Sequence, residues 1–509
     1  MRITAPIRAA VAVTTVAVLV LAGCASTSTT DRSPDADQTL RIHVQAPPAN
    51  WSIGQWSGGD ATMFLSVYDT IIGADLNGNL VPAIAESWEY DDTRTQLTLH
   101  IRDDMTFTDD TPVDAPAVAA SLDASRAGTS TADNLAAISN VEAVDESTVI
   151  VSLSAPDAAL LGRLAGNPGA VGATEVLTAE SSQLTPVGSG PYTLDVDATT
   201  VGATYVLERN DDNWNAGAYP FETVEVSVIQ DPTAVQNAVQ ASQLDYAGVP
   251  SVDIVKQFSA ADFTSGNNSP NSLGVLWIAD HEGAIIPALA DVRVRKAINL
   301  AIDRDSIAQA INQGANNPTA QYVNPNGPVY DETLNDLYAY DLAAAKELMT
   351  EAGYADGFEV TMPSTVVSVT YESVITQSLA DIGITVTWET VPFQDFYAKV
   401  FGGSYAMFFM FNGFSVDAAS DMDATLEGVF NPFRSSTPEL DELLSAARAS
   451  SEEDADANYS AVNAYLVEEA WNVPITYITG FYVASNDIKY TSPAVIGQSL
   501  LPYKPADSK

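Results

Sequence analysis

The sequence predicts a mixed α/β body divided into more than one lobe. Three observations carry this. Segments alternating apolar and polar residues recur from Leu40 onward, helical stripes interleave with them, and no tandem repeat of about 20–50 residues is visible. With 509 residues and 46% hydrophobic composition, the chain can bury roughly three domain-sized cores or build two large lobes.

Leu40-Arg41-Ile42-His43-Val44 alternates and runs into Pro47-Pro48, which makes it a first strand entering a loop. Asn77-Gly78 is a hairpin turn signal, and an extended segment follows over Val81–Trp88. Leu97, Leu99 and Ile101 alternate with polar residues, as do Val149, Val151 and Leu153, then Val224, Val226 and Val228; Ile384-Val386-Trp388 is a later strand. Among the helices, Asp291–Ile302 sets Val294, Ile298 and Ala301 on one stripe, with Arg293 and Arg295 expected on the polar side, paired with acids. Asp303 is placed to cap a second helix closing at Gly314. In Asp341–Ala352, Leu342, Ala345, Leu348, Met349 and Ala352 share a face, and Gly353 stands where a terminating glycine belongs.

The N-terminus sets the compartment. After Arg2 and Arg8 comes an apolar run of about 14 residues, too short to span a bilayer and right for a signal-peptide core. It ends in Leu21-Ala22-Gly23-Cys24, which resembles a bacterial lipobox: cleavage before Cys24 would leave that single cysteine as the lipid anchor. The alternative is an ordinary signal peptide with an incidental cysteine. Residues 24–38, rich in Ser, Thr, Asp and Pro, read as a flexible tether. Removing residues 1–23, which hold two arginines and no acid, takes the formal charge from −45 to −47. That acidity excludes a nucleic-acid binder, since phosphate is repelled and no basic stretch offsets it. One cysteine excludes an internal disulfide framework and a Cys-based zinc cluster.

Catalytic signatures are missing. His43, His100 and His281 are the only histidines, and none stands in a His-Glu-x-x-His pattern. Val187-Gly188-Ser189-Gly190-Pro191 has the wrong spacing for a nucleophile elbow and reads as a tight turn. Asp75-Leu76-Asn77-Gly78-Asn79 carries oxygen donors at alternate positions, but Leu80 stands where a calcium loop needs glycine, so the turn is the simpler reading. Asp417, Asp421 and Asp423 could hold a cation, although a solvated face is simpler. The sequence calls for no metal and no cofactor.

Several segments, taken in order, resemble the extracellular solute-binding proteins of peptide-type (peptide/nickel) ABC importers. They are Tyr68–Ile72 with Asn77–Trp88; Leu97–Arg102 with Met105–Val113; Pro186–Tyr192; Asp291–Ile298 running on to Arg304; Ala345–Met349 with Glu351–Tyr354; and Leu440–Leu444 with Val473–Ile475. The resemblance implies a two-lobed periplasmic-binding-protein-like fold with a hinge and an extra inserted domain. Lobe I would comprise residues 39–58, 183–272 and 476–509, the inserted domain 59–182, and lobe II 273–475. Strands near Leu273–Ile278 and Val473–Tyr477 would form the hinge, and a ligand would be enclosed as the lobes close.

In peptide-binding members an aromatic residue followed three positions later by Asp lines the cleft, and that Asp pairs with the peptide ammonium. Phe414-Ser415-Val416-Asp417 matches, with Phe in place of the usual Trp. A carboxylate in a water-poor cleft suits an ammonium; the competing reading is one more surface acid among 66. Asn412 is a candidate for the ligand backbone, and Trp51 and Trp56 for stacking. Trp277 near the hinge and Tyr482 in the returning strand are further candidates. The family usually carries Asn after the hinge strand, where this chain reads Ala279-Asp280. The expected protein is therefore a monomeric, lipid-anchored receptor on the extracellular face of the membrane. It would capture oligopeptides and deliver them to a permease and ATPase. An oligosaccharide or other non-peptide solute is the alternative; a secreted hydrolase or signalling lipoprotein is more remote.

Overall fold

The computed structural model describes residues 39–506 apart from 49, 57–60, 178–183, 416, 427–429 and 496–498. The signal segment, Cys24 and the tether lie outside the described residues. The first lobe is built on a four-stranded sheet. Thr39–Val44 pairs in parallel with Thr223–Val228, and Thr204–Arg209 and Tyr192–Thr200 add antiparallel. The alternation read from the sequence works as expected: Leu40, Ile42, Val224 and Val226 all point into one core. The inserted domain is an antiparallel sheet in the order Ala85–Tyr90, Gln96–Ile101, Thr148–Leu153, Ile138–Ala143. Helix Ala115–Arg126 covers it, started by Asp114, whose carboxylate accepts from Ala117 N–H at 2.9 Å. The segment expected over Val81–Trp88 is two strands. Leu80–Pro82 closes the Asn77-Gly78 hairpin against Ile72–Ala74, and Ala85–Tyr90 enters the larger sheet. Asp75 holds that hairpin by accepting from the N–H groups of Asn77 and Asn79.

The second lobe centres on three antiparallel strands, with Ser272–Ile278 between Met407–Gly413 and Val473–Ile478. Both faces are covered, which explains the unbroken apolar runs. Leu276, Ile278, Phe409 and Ile475 face a core that includes residues of the helices Val292–Ala301, Leu342–Glu351 and Glu372–Ala380. Leu273, Val275, Trp277 and Phe408 face the other way. Asp291, Asp303 and Asp341 cap their helices, and Gly353 takes φ +85° at the end of the last.

Arg293 pairs with Asp291 at 2.5 Å as expected. Arg295 does not. It is buried and donates to the carbonyls of Leu289, Ala290 and Glu469. Arg304 is buried likewise. Its guanidinium reaches the carbonyls of Thr319, Pro474, Asn299 and Tyr338 and the Asn299 side chain, and burial lowers its pKa to about 10.

The two strands expected near the hinge pair with each other. Ser272–Ile278 and Val473–Ile478 belong wholly to the second-lobe sheet. The crossings are the connectors 268–271 and 479–480, which lead to Phe263–Asn267 and Phe481–Ser485 in a first-lobe sheet with Tyr246–Val249. The two connectors touch: Asn268 N–H donates to the Gly480 carbonyl at 2.8 Å.

The inserted domain is seated on the first lobe through two glycines. Gly54 turns at φ +76°, and a Cβ at Gly128 would lie 2.1 Å from the Gly54 carbonyl oxygen. Gly128→Ala must separate these backbones, and we expect it to destabilise the protein by about 2 kcal/mol. Urea titration of both proteins checks this, with the loss read from the midpoint.

Candidate functional site

The other face of the second-lobe sheet is the floor of a second buried core, rich in aromatic rings. Opposed residues on antiparallel strands share a face. The pairs Leu273–Asn412, Val275–Met410 and Trp277–Phe408 therefore put Asn412 on the same side as Trp277. Trp277 is fully buried, stacked on Phe430 at 4.4 Å and on Phe408 at 6.1 Å, and its indole N–H has no hydrogen-bond partner among the described residues. Phe414 is buried in the same cluster, 5.9 Å from Tyr477, and its N–H donates to the Asn271 carbonyl at 2.9 Å. That bond ties the end of strand Met407–Gly413 to a hinge connector.

Three residues beyond Phe414, Asp417 opens helix Ala418–Leu426. Its Oδ1 accepts from Ser420 N–H at 2.7 Å, the spacing of an N-cap. Its Oδ2 is buried and makes no hydrogen bond of good geometry among the described residues, although the Ser420 hydroxyl lies close enough to favour the ionised carboxylate. Burial pushes the Asp417 carboxyl up to about 6, against the Ser420 N–H, the Ser420 hydroxyl and the charge of Arg163, which favour ionisation. Asp421, one helical turn on, is 3% exposed, accepts from Ser415 N–H at 2.6 Å and is pushed well above the carboxylate range by burial. Asp423 is bonded to Arg448 at 2.6 Å and to Arg163 at 2.8 Å. The three acids that read as a solvated face are instead folded inward and bonded, because helix Ala418–Leu426 lies against helix Glu452–Glu468 and the inserted domain.

Arg163 reaches this group from the inserted domain, where Asp157 holds it at 2.9 Å. Sequence reasoning singled out neither Arg163, Asp157 nor Arg448. The available signal was one charge inside the apolar run Leu160-Leu161-Gly162-Arg163-Leu164.

Of the predicted residues, Asp417, Phe414, Asn412 and Trp277 therefore gather on the second lobe. Trp51, Trp56 and Tyr482 form a separate apolar cluster in the first lobe. Trp51 is 3% exposed against Tyr205, and Trp56 packs on Phe64. Tyr482 stacks on Tyr246, over Gly266, whose missing side chain makes room for the ring. A cavity of about 90 Å³ in the first lobe is lined by Tyr68, Asp69, Trp214 and Tyr219. Asp69 there accepts from Ser189 and Asn213 and is pushed up to about 7 by burial.

A carboxyl whose value rises on folding favours the folded state at low pH and loses that contribution as pH climbs through its folded value. Asp417→Asn keeps a good N-cap and removes the buried charge. We expect the variant, without ligand, to be more stable than the parent at pH 7.5 by up to about 2–3 kcal/mol. The difference should shrink as the pH falls from about 6 and vanish below about pH 3, where the parent carboxyl is protonated in both states. Thermal melts of both proteins across this range check it.

Comparison with known proteins places this geometry. The family model "Bacterial extracellular solute-binding proteins, family 5 Middle" matches residues 79–436, well over half of the chain. Heme-binding protein A of Haemophilus influenzae is 25% identical over 67% of this chain and 68% of its own length. Di/tripeptide-binding protein 3 of Pseudomonas aeruginosa is 24% identical over 87% of this chain and 90% of its own. The structure of HbpA2 from Haemophilus parasuis superposes with a TM-score of 0.78 at 20% identity, covering 92% of this chain and 99% of that one. Two lobes joined by paired connectors, and the family match across most of the chain, agree: the protein belongs to family 5 of the bacterial extracellular solute-binding proteins.

Proposed function

We propose that the protein is the receptor of an ABC importer for short peptides with a free amino terminus, and that Asp417 takes the ammonium group. The observation that carries this reading is the buried Oδ2 of Asp417, which makes no hydrogen bond of good geometry among the described residues, three residues beyond Phe414 of the aromatic cluster. The charges around it point the same way. Among the described residues Asp157, Asp417 and Asp423 are met by Arg163 and Arg448, while burial favours the uncharged form of Asp421, so one more positive charge would balance the group. The family consists of binding proteins that work with a permease and an ATPase. A relative aligned over 90% of its length is named for di- and tripeptides. Main-chain contacts would hold an extended peptide, leaving side-chain specificity broad. The sugar-binding alternative relied on Trp51 and Trp56 as platforms, and both pack within the first lobe.

Asp417→Asn should weaken tri-alanine binding about 10- to 100-fold at pH 7.5, the size of a lost charge-assisted bond. N-acetyl-tri-alanine should bind the parent correspondingly weakly and bind the variant no worse than tri-alanine does. Isothermal titration reads both, and an unchanged affinity of the variant for the free-amine peptide would sink the assignment. Lowering the pH below about 6 should weaken binding of tri-alanine to the parent as Asp417 protonates.

For placement, we propose that Cys24 carries a lipid and that the monomeric body hangs from it on the outer face of the cell membrane. The run up to Leu21-Ala22-Gly23-Cys24 supports this. No helix among the described residues is long and apolar enough to cross a membrane. Cys24→Ser should move the protein from the membrane fraction to the medium, as read by fractionation and blotting; retention of the variant in the membrane would refute the anchor.

A further inference from the structure

Among the described residues, the short segment 157–163 of the inserted domain meets the second lobe. Ala159 is fully buried, in an apolar cluster whose other core members, among them Tyr322, Val323 and Met422, are second-lobe residues. Next to this plug lies a chain of charges: Asp157 to Arg163 at 2.9 Å, Arg163 to Asp423 at 2.8 Å, and Asp423 to Arg448 at 2.6 Å. The side chains are 8–23% exposed, so these charges are largely withdrawn from water.

The order of the chain matters more than its length. Arg163 is held on its own domain by Asp157 and by the carbonyl of Asn134 at 3.1 Å. Asp423 is held on its own lobe by Arg448. Only the middle bond, between residues 260 positions apart in sequence, crosses from one body to the other. If the lobes separate, each half keeps an ion pair and no charge is orphaned. The usual heavy penalty for breaking a buried pair comes from the partner left behind, and that penalty is absent. The bond is pre-oriented from both sides and can be made and broken at small cost. A neighbouring alanine, with no rotamers to order, adds apolar contact on the same terms.

We propose that Arg163 is a positioning residue that latches the inserted domain to Asp423, making this domain the second jaw of the cleft. The latch is read in ligand-free protein, where it would set the closed population whatever solute is captured, and so goes beyond the peptide reading. A ligand that needs the closed form binds more weakly in proportion to any loss of that population.

The test uses ligand-free full-length protein, with lobe separation read as radius of gyration by small-angle X-ray scattering. Arg163→Gln and Asp423→Asn should each expand the protein, the double variant no more than either alone, and Arg163→Lys should restore part of the compaction. Wild type at 1 M NaCl should approach the single variants. Equal radii for wild type and both single variants overturn the latch, as does additive expansion in the double variant. Should Arg163→Gln lose cooperative unfolding, Asp423→Asn, altered on the opposite lobe, carries the comparison. With tri-alanine as probe, the same variants should lose about tenfold in affinity, mainly through faster release. Expansion without any tri-alanine binding keeps the latch and rejects the peptide reading, so the two fail separately.

Discussion

A charge taken out of water must find its partners inside the protein, and the second lobe is organised around that demand. Arg304 is surrounded by carbonyl oxygens from the helix before it, the loop after it and strand Val473–Ile478. Arg295 is met by the turn ahead of its own helix and by the end of helix Glu452–Glu468. Asp280 is fully buried and accepts from the N–H groups of Ala284, Ile285 and Ile286. These are backbone partners, fixed by the fold, so the buried charges hold loops and helices to the central sheet without any mobile side chain. Asp417 stands apart because its cap bond answers one oxygen only. The same demand that organises the scaffold marks the place where something from outside fits.

Local signals were legible in the sequence where a few neighbouring residues decide the outcome. The caps at Asp291, Asp303 and Asp341 and the left-handed Gly353 need only the geometry of one turn. The strands with apolar alternation needed only a buried face. Arg295 was misread because two neighbouring arginines on one helix look alike until a carbonyl 174 residues away accepts from one of them. Asp423 was misread for the same reason: its partners Arg163 and Arg448 come from distant segments. Hinge strands could be recognised as apolar runs, but the bend falls in the polar residues beside them, where no periodicity exists to read.

The site was legible to the extent that it is local. Phe414 and Asp417 lie three residues apart, on the end of a strand and the start of a helix, and the structure keeps them together. Trp51 and Trp56 were singled out because tryptophan in a polar loop must pack somewhere; Trp51 does so against Tyr205 and Trp56 against Phe64. Composition cannot distinguish a ring that waits for a ligand from one that completes a core.

The touching connectors at Asn268 and Gly480 limit how the molecule can move. Two links bonded side by side behave as one axle rather than as two independent tethers. An axle permits swing and resists slip, so the jaws travel on an arc whose radius is their distance from it. The Phe414–Asn271 bond puts the end of the aromatic core close to that axle, where displacement per degree is smallest. The seam between inserted domain and second lobe can sweep further for the same angle. For any swing about this pair, the end of the aromatic core at Phe414 therefore travels less than the far edge of the second lobe.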